Sequence, residues 1–79
     1  MADSSDIKIG IPGAAGRMGT VLITLVDETE GFCLSAASEI VGHDAIGRDA
    51  GELAGLSALG VSVGENVDAL FVESDAVLD

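Results

Sequence analysis

The sequence has no tryptophan, no tyrosine and only two phenylalanines, so any core must be assembled from Ala, Val, Leu and Ile. Basic residues are nearly absent as well: Lys8, Arg17 and Arg48 stand against 14 acids, for a formal net charge of -11. Such a surface repels phosphate backbones and anionic lipid heads, which sets nucleic acid and membrane aside as partners. The single cysteine, Cys33, rules out an internal disulfide; it lies in the apolar run FCLSAA, where a buried, inert thiol is expected. No apolar run approaches the roughly 18 residues of a spanning helix. The opening MADSSD lacks the basic flank and apolar stretch of a secretory signal, so the chain reads as cytoplasmic.

What is present is an apolar content of 48% and 11 glycines in 79 residues, the composition of one small globular domain of sheet and helix with a thin core. Residues 1–6 are polar and read as a disordered tail. IKIGI (Ile7 to Ile11) alternates as a short strand does, and Pro12 after it removes a ladder donor. From Arg17 to Glu30, Met18, Val21, Leu22, Leu25 and Val26 recur at spacings of three and four, which predicts an amphipathic helix with those residues inward, ended by Gly31. FCLSAAS (Phe32 to Ser38) has the length and continuous small and apolar character of a strand covered on both faces. Residues 39–60 carry five glycines among acids and predict a long loop with one helical turn at AGELAGL. VSV (Val61 to Val63) is a third short strand, Asn66 caps a helix through about Ser74, and AVLD (Ala76 to Asp79) opens a fourth strand.

Strand and helix in alternation predict an α/β fold, a Rossmann-like parallel sheet with flanking helices. About four strands amount to the first half of a dinucleotide-binding domain, so residues 7–79 read as the N-terminal portion of one.

Gly13, Gly16 and Gly19 form G-x-x-G-x-x-G between the first strand and the helix. A glycine at the strand end permits a sharp turn, a second lets a diphosphate approach bare backbone, and a third lets the helix pack close to the sheet. A diphosphate there meets the free amides and positive dipole end of the helix. Arg17, inside the loop, is placed to add a charge-assisted bond. Glu39 follows the second strand, 20 residues past the last motif glycine, where a carboxylate accepts from the adenosine ribose hydroxyls. His43, the only histidine, has no placed partner and reads as a solvated loop group, and Arg48 as half of a surface pair with Asp49 or Glu52. No cluster of His, Cys and carboxylate has metal-ligand spacing.

GAAGRMG at 13–19 together with GRDAGELAGL at 47–56 resembles the N-terminal part of the dihydrodipicolinate (4-hydroxy-tetrahydrodipicolinate) reductase family over nearly the whole chain from Ile7. The resemblance implies an enzyme of lysine and diaminopimelate synthesis that reduces a cyclic dicarboxylate with NADH or NADPH, and a homotetramer when full length, its C-terminal substrate and tetramerisation domain being absent from this chain. Carried over by position, Gly13, Ala14, Ala15, Gly16, Arg17, Met18 and Gly19 line the pyrophosphate, Met18 alternatively being plain helix core, and Glu39 holds the ribose. Ile40 stands where many members have an arginine for a 2'-phosphate, which tilts the expectation toward NADH or dual use. The family's catalytic histidines and lysine fall beyond Asp79, so no catalytic residue is expected here. The readings from other classes are a non-catalytic nucleotide-binding or structural Rossmann module, and another NAD(P)-dependent dehydrogenase.

Overall fold

The computed structural model describes residues 6–78. In chain order the elements are β1 (Ile7–Pro12), α1 (Arg17–Glu28), β2 (Phe32–Ser38), α2 (Ala50–Leu53), β3 (Val63–Gly64), α3 (Val67–Val72) and β4 (Ala76–Val77). The four strands form one sheet in the order β3-β2-β1-β4, and every pair is parallel. This is the Rossmann-like arrangement expected from the alternation of elements, with β1 central and the chain crossing over it between β3 and β4. Of the tail expected over residues 1–6, all but Asp6 lies outside the described residues. Among the described residues no helix is long and apolar enough to cross a membrane.

The two faces of the sheet are filled differently. Ile9 and Ile11 of β1 join Ala37, Val63 and Ala50 with Ile23 and Val26 of α1 in one buried cluster. Gly10, between those isoleucines, faces the other way, where a Cβ would stand 2.8 Å from Leu70 Cδ2 of α3. The period of two in β1 thus assigns α1 and α3 to opposite faces. Between Ile9 and Gly10 the β1–β2 register slips by one residue, and Ser35 is the extra residue on β2. Its hydroxyl donates to the Ile9 carbonyl at 3.2 Å and pairs with Ser74 Oγ at 3.0 Å, so the irregularity is satisfied from within.

Helix α1 departs from the expected face and end. Val26 is buried and Leu22 packs against the core as expected, but Gly19 and Ile23 are buried beside them, whereas Met18, Val21 and Leu25 are 64%, 50% and 52% exposed. The helix comes nearest the sheet at a residue without a side chain, and that contact sets its rotation; hydropathy, which does not count glycine as apolar, points to the neighbouring stripe. The helix stops at Glu28 because Thr29 turns to extended geometry, and Gly31 follows at φ 90° rather than ending the helix itself. The Gly31 carbonyl then accepts from Ile7 at 2.9 Å, tying the helix exit to the start of β1.

β2 spans the predicted residues, but only Ala36, Ala37 and Ser38 are buried; Phe32 is exposed and Cys33 half-exposed. The N-terminal half of the strand is only partly covered, so the thiol is not sealed in the core. The third strand lies later than VSV. Residues 61–63 are claimed by the preceding loop, with Ala50 N donating to Val61 O at 2.8 Å and Val63 N to Arg48 O at 2.9 Å, leaving the parallel pairing with β2 to Val63 and Gly64. Helix α3 is capped as expected: Asn66 Oδ1 accepts from Asp68 N at 2.9 Å and Ala69 N at 3.2 Å, although the helix ends at Val72.

The 39–60 segment is an ordered cover organised by Asp49. Its Oδ2 accepts from Glu52 N and Leu59 N, both at 3.0 Å, and its Oδ1 from Gly60 N at 2.9 Å. One carboxylate thus caps α2 and closes the turn ten residues on. No ion pair of Arg48 is among the described contacts, and the Asp49 carboxylate expected to meet it is spent on amides. Partial desolvation pushes the Asp49 carboxyl up, but the amides of Leu59, Glu52, Gly60 and Gly51 prevail and hold it below its ordinary value of 3.8. Its contribution to stability is therefore present above that value and is lost as pH falls through the lower, folded one. Asp49→Asn removes an acceptor and the charge; we expect a lower melting temperature at neutral pH and a gap to the wild type that narrows below about pH 4, checked by thermal melts across a pH series.

Candidate functional site

β1 ends at Pro12, whose missing amide is replaced one step later: Ala14 N donates to Ser38 O at 3.0 Å and carries the β1–β2 connection into the loop. Gly13 lies between them at φ 66°, a left-handed conformation that an L side chain resists, and has open space where a Cβ would be. The chain can therefore reverse off the strand. Gly16 N closes the turn onto Gly13 O at 3.0 Å, and Gly16 caps α1 without any side-chain bond.

At Gly19 the constraint is steric. A Cβ there would collide with the Gly13 carbonyl and stand 2.8 Å from Ala14 Cα, so only glycine lets the first turn of α1 nest against the loop. Gly16 differs from both. Its backbone is in ordinary extended geometry, and a Cβ would meet only the Gly13 carbonyl at 3.3 Å, on the exposed side of the loop. Bare backbone at Gly16 is not demanded by φ, and a Cβ there would ask only a few tenths of an ångström of the Gly13 carbonyl.

The helix opens with the amides of Arg17, Met18 and Gly19, none of which has an acceptor among the described hydrogen bonds. They are the donors that a helix start leaves over, and no acidic side chain lies in the first turn to consume them. The Arg17 and Met18 side chains are exposed, so the alternative reading of Met18 as helix core does not hold; the rotation imposed by Gly19 turns it outward.

Glu39 is half-buried at the end of β2 and reaches back across the sheet edge, its Oε2 accepting from Ala15 N at 2.9 Å and its Oε1 from Ile40 N at 3.1 Å. The structure thus brings all of Gly13 to Gly19 together with Glu39 at the C-terminal ends of β1 and β2. Immediately beyond, Ile40 and Val41 are 74% and 77% exposed, and no cation accompanies them. Three free amides at a helix start, a lone arginine and a carboxylate with lone pairs to spare fit a ligand that carries an anion and vicinal hydroxyls, the chemistry of a nucleotide diphosphate.

His43 belongs to a different task. It is half-buried, and its Nδ1 accepts from Ala45 N at 3.0 Å, which fixes a turn in the covering loop. The sequence reading of a solvated group missed this bond; the two-residue spacing from His43 to Ala45 in a glycine-bounded turn is the only signal for it. Among the described residues no group of three or more His, Cys, Asp and Glu is placed to hold a metal ion.

Comparison with known proteins agrees with this geometry. The family model described as "Dihydrodipicolinate reductase, N-terminus" matches residues 7–79. The chain is 48% identical over 73 residues to the 4-hydroxy-tetrahydrodipicolinate reductase of Magnetococcus marinus, covering 92% of this chain and 27% of that protein. It is 51% identical to the reductase of the same name from Halorhodospira halophila, with the same coverage, and 49% identical to that of Rhizobium meliloti over 98% of this chain and 28% of that protein. The chain therefore spans little more than a quarter of the length of these relatives.

The three glycines should separate by mechanism. Gly19→Ala forces the first helical turn off the loop and should cost roughly 1–3 kcal/mol of stability, as overpacking does. Gly13→Ala should cost about 1–2 kcal/mol for the left-handed backbone, and Gly16→Ala little. Denaturant midpoints of the three variants check the order.

Proposed function

The chain belongs to the dihydrodipicolinate reductase N-terminal family, and from that membership we propose that it is the dinucleotide-binding part of an NAD(P)H-dependent oxidoreductase of lysine and diaminopimelate synthesis, one that reduces 4-hydroxy-tetrahydrodipicolinate to tetrahydrodipicolinate. The observation that carries the reading is the convergence of the free amides of Arg17, Met18 and Gly19 with the Glu39 carboxylate at the C-terminal edge of a parallel sheet. A bound nicotinamide cofactor supplies the hydride. Everything else here concerns holding it.

In this reading the helix-opening amides hold the pyrophosphate, Gly16 keeps the approach clear of a Cβ, and the Arg17 guanidinium adds a charge-assisted bond. Gly13, Ala14 and Ala15 contribute backbone shape, and Glu39 accepts from the adenosine ribose. The overall charge of -11 does not forbid this, because in saline exposed charges are screened beyond roughly 8–10 Å, whereas the helix amides act at contact. None of the described side chains is assigned to proton transfer. Recognition of the dicarboxylate and assembly into a homotetramer belong, in the same reading, to the part of such an enzyme that its relatives have beyond the matched quarter.

The exposed Ile40 supports a preference for NADH. A 2'-phosphate would meet the Glu39 carboxylate with no cation at the next position to offset the repulsion. Calorimetric titration with NADH and with NADPH should show tighter NADH binding, and Ile40→Arg should narrow or reverse the difference. Gly16→Leu, monitored by melting to establish that it is folded, should weaken NADH binding by about tenfold or more, the equivalent of one charge-assisted bond. An unchanged affinity in that variant would sink the phosphate approach.

A further inference from the structure

The Glu39 carboxylate is engaged before any ligand arrives. One oxygen accepts from Ala15 N at 2.9 Å, 24 residues away in sequence, and the other from the adjacent Ile40 N at 3.1 Å. Its own amide donates to Gly64 O of β3 at 2.9 Å, so the backbone beneath the side chain is anchored independently. The recipient lies in the middle of the glycine loop. From Gly13 to Gly16 the loop has no polar side chain, and Ala15 has no other described bond to hold its amide. The Ala14 N–Ser38 O bond and the Gly16 N–Gly13 O bond, both at 3.0 Å, fix the residues on either side of it, and neither engages the Ala15 amide.

We propose that Glu39 is a positioning residue, whose carboxylate clamps the Ala15 amide and thereby holds the glycine loop in the shape that aims the Arg17, Met18 and Gly19 amides at a pyrophosphate, while its remaining lone pairs receive the ribose hydroxyls. The inference rests on the dinucleotide reading and deepens it: the ribose and pyrophosphate subsites are coupled through one side chain. A carboxylate offers about four lone-pair directions, and the two amides take two of them. Held by two amides, the side chain does not swing away to admit a larger group, so its charge stays beside the ribose.

The clamp has a consequence opposite in sign to simple electrostatics. Deleting a negative charge near an anion site should tighten anion binding; deleting a clamp should loosen it. A ligand without the ribose hydroxyls separates the two, since it cannot register the loss of a ribose contact. The probes are NADH and an NADH analogue whose adenosine ribose lacks both hydroxyls, titrated calorimetrically into the full chain and its Glu39→Ala and Glu39→Gln variants. Glu39→Ala should weaken both ligands, the dideoxy analogue by about tenfold, as expected for one charge-assisted bond. Glu39→Gln keeps an oxygen for Ala15 and should restore most of the analogue's affinity while remaining weaker for NADH. Amide exchange in the wild type gives a readout that needs no variant: Ala15 should be protected relative to Arg17 and Met18. Unchanged or tighter binding of the analogue by Glu39→Ala, or an Ala15 amide that exchanges as fast as that of Met18, would overturn the clamp and leave the dinucleotide reading standing. Failure of the folded wild type to bind either NADH or NADPH would overturn both.

Discussion

The contact between the first turn of α1 and the Gly13 carbonyl, possible only because Gly19 has no side chain, governs the helix, the loop and the site at once. It lets the helix axis lie close to β1, which brings Ile23 and Val26 onto Ile9 and Ile11. It also fixes the rotation of the helix, so Met18, Val21 and Leu25 turn outward although they are apolar. The same nesting places the helix start directly over the strand end. The helix amides left without partners therefore open onto the sheet edge, where a parallel sheet has room for a ligand.

A small aliphatic core cannot hold so many turns by burial alone, and the chain uses side-chain to backbone bonds instead. Ser35 satisfies the register slip between β1 and β2, Asn66 caps α3, His43 fixes one turn of the covering loop and Asp49 ties down two segments of it. Asp75 does the same at the far edge, its carboxylate accepting from Lys8 N at 2.9 Å beside β4. Among the described residues, no buried side-chain polar atom is left without a partner. Satisfied polar contacts of this kind matter because each orphaned group would cost about 1–3 kcal/mol, a large share of a small domain's stability.

The motif residues shared with the reductase family divide accordingly between holding the protein and meeting a ligand. In GRDAGELAGL, Asp49 collects amides, Ala50 is fully buried, and a Cβ on Gly51 would stand 2.6 Å from Leu59 Cγ. That stretch is architecture. In GAAGRMG, Gly13 and Gly19 are demanded by the backbone and the packing, whereas Gly16 caps α1 through its backbone alone and the exposed Arg17 and Met18 side chains make no described hydrogen bond. It is this remainder, next to a carboxylate held in place, that points outward to a nucleotide.

The strands β1 and β2, the capping of α3 by Asn66, the parallel order and the grouping of the glycine loop with Glu39 were all legible in the residues, because alternation, cap chemistry and glycine spacing are local signals that survive folding. The inward face of α1 was not, since hydropathy is blind to a glycine at the point of closest approach. The start of β3 and the order within residues 39–60 were not, since both depend on Asp49 and on backbone pairing across more than ten residues, which no local pattern encodes. Nor was the partial exposure of Cys33, since how much of a strand its neighbours cover is settled only by packing. The sequence by itself determined which elements form and where an anion would be welcome. The tertiary structure decided which helix face is buried, and it joined Glu39 to Ala15, because a hydrogen bond between residues 24 apart exists only once two strands have been laid side by side.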